Sequence, residues 1–130
     1  MRSAAEILRD SSTIALVGAS PRADRPSHGV MRYLLDAGYR VIPVNPTCDA
    51  VLDIPCAPSL AAIHEPIDLV DVFRREEHAA GLAREAAAVG ARAFWLQLGL
   101  RSPEARRVAL ESGMDYVEDA CTAIVHRRDL

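Results

Sequence analysis

The sequence predicts an α/β fold: a single domain built on a doubly wound parallel sheet of about five strands. Three observations predict it. Short runs rich in β-branched residues alternate with longer segments of helical period, and three of those segments end in a glycine just before the next strand. The first and fourth strand runs are apolar almost throughout, as in strands covered on both faces. At 130 residues the chain is long enough for one packed core and short for two.

The elements follow in order. Residues 1–11 form a short N-terminal helical extension. Its one apolar patch is broken by Glu6, Arg9 and Asp10, so it lacks the apolar region of a secretory signal and the expected location is cytoplasmic. "TIALVG" (13–18) is the first strand, turning at Gly18. "SHGVMRYLLDAG" places Val30, Tyr33, Leu34 and Ala37 on one helical face, with Ser27 as N-cap and Gly38 as stop. "RVIPVN" (40–45) is the second strand. Residues 46–66, with four prolines, form an irregular connection holding at most a short helical turn near Leu60–Ile63. "IDLVDVF" (67–73), the helix "REEHAAGLAREAAAVG" closed by Gly90, and "ARAFWLQL" (91–98) continue the alternation. In "SPEARRVALESG", Ser102 caps, Pro103 takes the first helical position and Gly113 stops the helix. "MDYVE" (114–118) is the fifth strand.

In such folds ligands bind at the carboxyl ends of the strands, which here means residues 18–28, 45–47, 73–76, 97–102 and 119–121. A formal net charge of −3 argues against a broad electrostatic attraction to nucleic acid, and no run is long enough to cross a bilayer. All fifteen basic residues are arginines, which excludes a lysine Schiff base and a Walker-type lysine clamp.

The first strand-end loop reads Gly18, Ala19, Ser20, Pro21, Arg22. One glycine lets the chain turn, and the following helix start presents amide hydrogens and a positive dipole end to an anion. The full G-x-G-x-x-G fingerprint is absent, and the second strand ends in Asn45-Pro46 where NAD-binding folds carry Asp or Glu. The loop offers instead Ser20, Arg22, Arg25, Ser27 and His28, and the third strand ends in "FRR". Arginine forks and hydroxyls suit a ligand with several phosphates, although exposed charges of this kind commonly remain simply hydrated.

"VGASPRADRPSHGV", "VIPVNP", "VDVFRR", "WLQLG" and "EDACTAIVHRR", in this order, resemble the small CoA-binding protein family. That family is a stand-alone Rossmann-like domain related to the CoA-binding domain of succinyl-CoA synthetase alpha subunits. The similarity covers about residues 12–128, so the resemblance implies that the chain, 1–130, is one CoA-binding domain. It implies CoA or acyl-CoA as ligand, with Gly18, Ala19, Ser20, Arg25 and Ser27 on the phosphate side and Asn45 and Pro46 in the next turn. Phe73 and Arg74 would wall the nucleotide, and Trp95, Gln97 and Gly99 would border the cleft. The sequence departs from the family at its end, where Ala120 and Ala123 stand in place of an arginine and a lysine.

No G-x-S-x-G elbow, catalytic triad order or acid–base pair can be assembled, which favours a binding module over an enzyme. The alternative is an NAD(P)-dependent oxidoreductase or transferase component in which Arg22, Arg25 or Arg74 takes a 2′-phosphate. A lesser one is an interaction subunit whose nucleotide site has decayed. Self-association as a homodimer, through a helix face or the final segment, stays open. The odd count of cysteines (Cys48, Cys56, Cys121) without a C-x-x-C pair fits reduced thiols, and acids beside Cys121 argue against a nucleophile. His28, His64, His78 and His126 lack metal-ligand spacing, and Trp95 reads as core.

Overall fold

The computed structural model describes residues 1–130. Ser3 caps the first helix, α1 (Ala4–Asp10), with a reciprocal box: its hydroxyl accepts from Glu6 N–H while the Glu6 carboxylate accepts from Ser3 N–H. Ile7 and Leu8 on α1 are fully buried, so this segment is part of the core. The chain continues through β1 (Thr13–Val17), α2 (Pro26–Asp36), β2 (Arg40–Val44), the short strands β3 (Ala50–Val51) and β4 (Ile54–Pro55), and β5 (Leu69–Val72). It ends with α3 (Ala79–Ala88), β6 (Ala93–Leu96), α4 (Pro103–Glu111), β7 (Asp115–Val117) and α5 (Thr122–Asp129).

The main sheet is five-stranded and parallel in the order β2-β1-β5-β6-β7, and the molecule has an α/β Rossmann-like fold. Strand alternation divides the core in two. Val70, Val72, Phe94 and Leu96 pack beneath the alanine-rich faces of α3 and α4, while Ile14, Leu16, Leu69 and Trp95 meet α1, α2 and α5. The order reverses between β1 and β5, and a crevice opens at their carboxyl ends.

Each predicted strand is present but shorter: β1 and β2 at the carboxyl end only, and β5, β6 and β7 at both ends. Ser102 caps α4 by accepting from Ala105 N–H (3.0 Å), with Pro103 behind it. Ser27, expected as the cap of α2, instead lies inside the helix; Arg25 is the N-cap and Pro26 opens the first turn with its preset φ. The helix expected from residue 75 begins as a 3-10 turn, Glu76–His78, before α3. Two elements go beyond the sequence expectation: the β3–β4 hairpin inside the proline-rich connection, and α5. No helix is long and apolar enough to cross a membrane.

Candidate functional site

A cleft of about 850 Å³ lies over the carboxyl ends of β1, β2, β5 and β6. Eleven of the twelve residues singled out from the sequence line it: Gly18, Ala19, Ser20, Arg22, Arg25, Ser27, Asn45, Pro46, Phe73, Arg74 and Gln97. Gly99 does not; its N–H donates to Asp119 Oδ1 (2.8 Å) in the turn after β6. Trp95 does not border the cleft either, being fully buried with its indole N–H donated to the Ala120 carbonyl (2.8 Å). His28 is buried and outside the lining. Pro26, Val30, Val44, Thr47, Arg75, Leu98, Leu100 and Cys121 complete the walls.

Gly18 is what lets the first loop leave the sheet. It sits at φ +87°, and a Cβ there would lie 2.5 Å from the Phe73 carbonyl oxygen and 2.9 Å from its carbon. The ends of β1 and β5 are thus too close for any side chain at this position. Beyond it, Asn45 ties two loops together. Its Nδ2 donates to the Ala19 carbonyl (2.7 Å), and its Oδ1 accepts from the Thr47 N–H (2.8 Å) and hydroxyl (2.9 Å). Both ends of the Asn45 amide are therefore engaged within the protein.

The cations of the loop are not equivalent. Arg22 is held in a two-pronged pair by Asp24 (3.1 and 2.8 Å), so much of its charge is met locally. Arg25 and Arg74 have no ion-pair partner. Arg25 is the N-cap of α2, whose N-terminus has no side-chain cap, and Ser27 in its first turn also lines the cleft. An uncapped helix start, a hydroxyl and two unpaired guanidinium groups make this end of the cleft an anion-favouring environment.

Behind the Gln97 wall of the cleft lies a buried polar cluster. Asp71, fully buried in the middle of the apolar strand β5, accepts at Oδ1 from Gln97 Nε2 and at Oδ2 from the Thr122 hydroxyl (3.0 Å). Gln97 Nε2 also donates to Thr122 Oγ1 (2.9 Å). The cluster thereby uses the amide hydrogens of Gln97, and Gln97 Oε1 is the acceptor left over at the cleft wall. Burial pushes the Asp71 carboxyl up to about 7, against the opposing hydrogen bonds from Gln97 and Thr122. Sequence reasoning misses Asp71 and Thr122; the signal available for the first is a lone carboxylate inside "LVDV".

Asp119, two positions before Cys121, is engaged by Gly99 and Arg101. The Gly99 N–H, with the Arg101 guanidinium (2.6 Å) behind it, holds its carboxyl below the usual range. Cys121 is the N-cap of α5 and makes no side-chain capping bond. His126 is structural, with Nδ1 2.9 Å from the Tyr33 hydroxyl and the rings of Tyr33 and Tyr39 edge-on to it.

Comparison with known proteins places this geometry in context. A family model described as a CoA binding domain matches residues 12–127. The chain is 46% identical over 121 residues to the uncharacterized protein YneT of Bacillus subtilis (strain 168), covering 93% of this chain and 90% of that one. It is 30% identical over 59 residues to the acetate–CoA ligase (ADP-forming) II of Archaeoglobus fulgidus, which is 44% of this chain and 9% of that one. A hypothetical protein from Pyrococcus horikoshii OT3 superposes with a TM-score of 0.93 at 38% identity, over 96% of this chain and 88% of that one. The family match takes in all five strands of the parallel sheet and every wall of the cleft, and the chain belongs to the CoA-binding domain family.

Proposed function

We propose that the protein is a binding module that holds CoA or an acyl-CoA in this cleft, with the phosphates against the loop from Ser20 to Ser27. The observation that carries the reading is the meeting of Arg25, Arg74, the Ser27 hydroxyl and the uncapped start of α2 around one end of the cleft, in a chain of this family. A ligand with several phosphates is matched by guanidinium forks and amide hydrogens at that end. Pro46, Phe73, Leu98 and Leu100 supply apolar walls for the rest of the molecule.

Asn45 favours CoA over NAD(P). At the end of β2 a dinucleotide site needs a free acceptor for ribose hydroxyls, and the Asn45 amide is already engaged by Ala19 and Thr47. The reading is non-catalytic because the one carboxylate with a strongly raised pKa, Asp71, is fully buried and has no access to the cleft.

Isothermal titration of the purified chain with CoA, NAD and ATP tests the proposal. Saturable binding of CoA, tighter than either of the others, is the expected outcome. Absence of heat with CoA at concentrations well above ordinary cofactor levels overturns it.

A further inference from the structure

Cys48 and Cys56, eight positions apart, face each other with their sulfurs 3.0 Å apart across the open end of the β3–β4 hairpin. That is about 1 Å longer than a disulfide bond, so a small rotation of either side chain closes the gap. Both residues are partly accessible. The hairpin between them is short and is anchored mainly through Val51, which is buried in the core. Each strand is two residues long, and the turn places Leu52 (φ 49°) and Asp53 (φ 65°) in the left-handed region without a glycine. Its base is fastened to the cleft: Cys56 N–H donates to the Asp49 carbonyl, and the next residue, Ala57, exchanges hydrogen bonds with Pro43 and Asn45.

We propose that Cys48 and Cys56 form a redox-active dithiol whose reaction partner is a low-molecular-weight disulfide. The thiolate of one cysteine attacks a sulfur of the small disulfide, forming a mixed disulfide and expelling one small thiolate. The second cysteine, as thiolate, attacks the protein sulfur of that mixed disulfide, forming the Cys48–Cys56 bond and expelling the second small thiolate. The two cysteine sulfurs lose two electrons, the small disulfide gains them, and the two thiol protons end on the two released thiols. Burial, together with the neighbouring Cys48, pushes the Cys56 thiol up to about 12, which assigns the first attack to Cys48. Once Cys48 is in the mixed disulfide its charge no longer opposes ionisation of Cys56. The product is a clip across the hairpin base, next to the Asn45–Thr47 wall of the cleft.

The test uses the full chain carrying Cys121→Ser, so that only these two thiols remain, with glutathione disulfide as the probe in native buffer. The expected result is release of two glutathiones per chain, a protein mass lower by two hydrogens, and a cross-linked peptide joining positions 48 and 56. The clipped form should unfold at a temperature higher by about 5–10 °C, and excess dithiothreitol should return it to the starting midpoint. The further change Cys56→Ser should stop the reaction at a stable glutathione adduct on Cys48. A folded chain that keeps both thiols, that accumulates a mixed disulfide without closing it, or that cross-links only in urea overturns the proposal.

Discussion

Replacing Asp71 by asparagine tests the account of the buried cluster, because the side chain keeps its shape and loses its charge. In the fold the carboxyl titrates at about 7 against an ordinary 3.8, so the unfolded chain gives up this proton first. For an acid raised in this way, the folded state is favoured most below the unfolded value and loses stability as pH rises from 3.8 to about 7. At about 1.36 kcal/mol per unit, the loss between pH 5 and pH 8 is roughly 3 kcal/mol. The substituted amide would accept from Gln97 as before but would turn its NH₂ toward Thr122, leaving that hydroxyl without an acceptor at a cost of about 1–3 kcal/mol. That cost does not vary with pH, so the slope isolates the charge. Urea denaturation of the unliganded protein followed by fluorescence of Trp95, the single buried tryptophan, gives both stabilities at each pH. The expected result is that the variant gains roughly 3 kcal/mol on the parent protein between pH 5 and pH 8. Surface carboxylates titrate alike in both proteins and cancel. Parallel pH profiles, differing by less than about 0.5 kcal/mol across the range, would refute the assignment of a desolvated carboxylate at Asp71.

Gly18→Ala and Gly99→Ala both place a side chain at positive φ, but only the first drives its Cβ into a neighbouring backbone. Gly99→Ala should cost about 1 kcal/mol from backbone strain and Gly18→Ala at least about 3 kcal/mol or the fold itself, as read from urea midpoints. Arg25→Gln and Arg74→Gln should each weaken CoA binding about tenfold, with a smaller salt dependence than the parent protein, while leaving the melting temperature in place. Arg22→Gln should weaken it by less than about threefold, because Asp24 already holds that guanidinium; calorimetric titration ranks the three. Ser102→Ala removes the acceptor for the Ala105 N–H and should lower stability by about 1 kcal/mol without touching ligand affinity, measured by denaturation and titration together.

The parallel sheet is legible in the sequence because each strand is a short apolar run and each crossover helix ends in glycine: Gly38, Gly90 and Gly113 all take positive φ at helix ends. The anion-favouring loop is legible because Gly18, Ser20, Arg25 and Ser27 are local in sequence and fall after the first strand. The hairpin is hidden by the prolines of the connection around it and by a turn built from Leu52 and Asp53 instead of Asn-Gly. α5 is hidden because "TAIVHRRD" has little helical amphipathicity of its own. It is held in place by burial of Val125 and by Tyr33 and Tyr39 around His126. Gln97 can be picked out as a polar residue at a strand end, but nothing near it announces Asp71, twenty-six positions away, or Thr122.

What this amino-acid sequence determines by itself is therefore periodic and local: strands, crossovers, glycine stops, and a loop whose residue types suit an anion. Which charges stand free is a tertiary matter. Arg22 and Arg25 look alike along the chain, yet one lies in the grip of Asp24 and the other has no carboxylate partner. The same holds for Asp71, raised to about 7 by its burial in the middle of the packed sheet, and for two cysteines that become neighbours only when the hairpin forms. Secondary structure follows from patterns within a dozen residues, whereas desolvation and pairing depend on which distant side chains the packed sheet brings within a few ångströms.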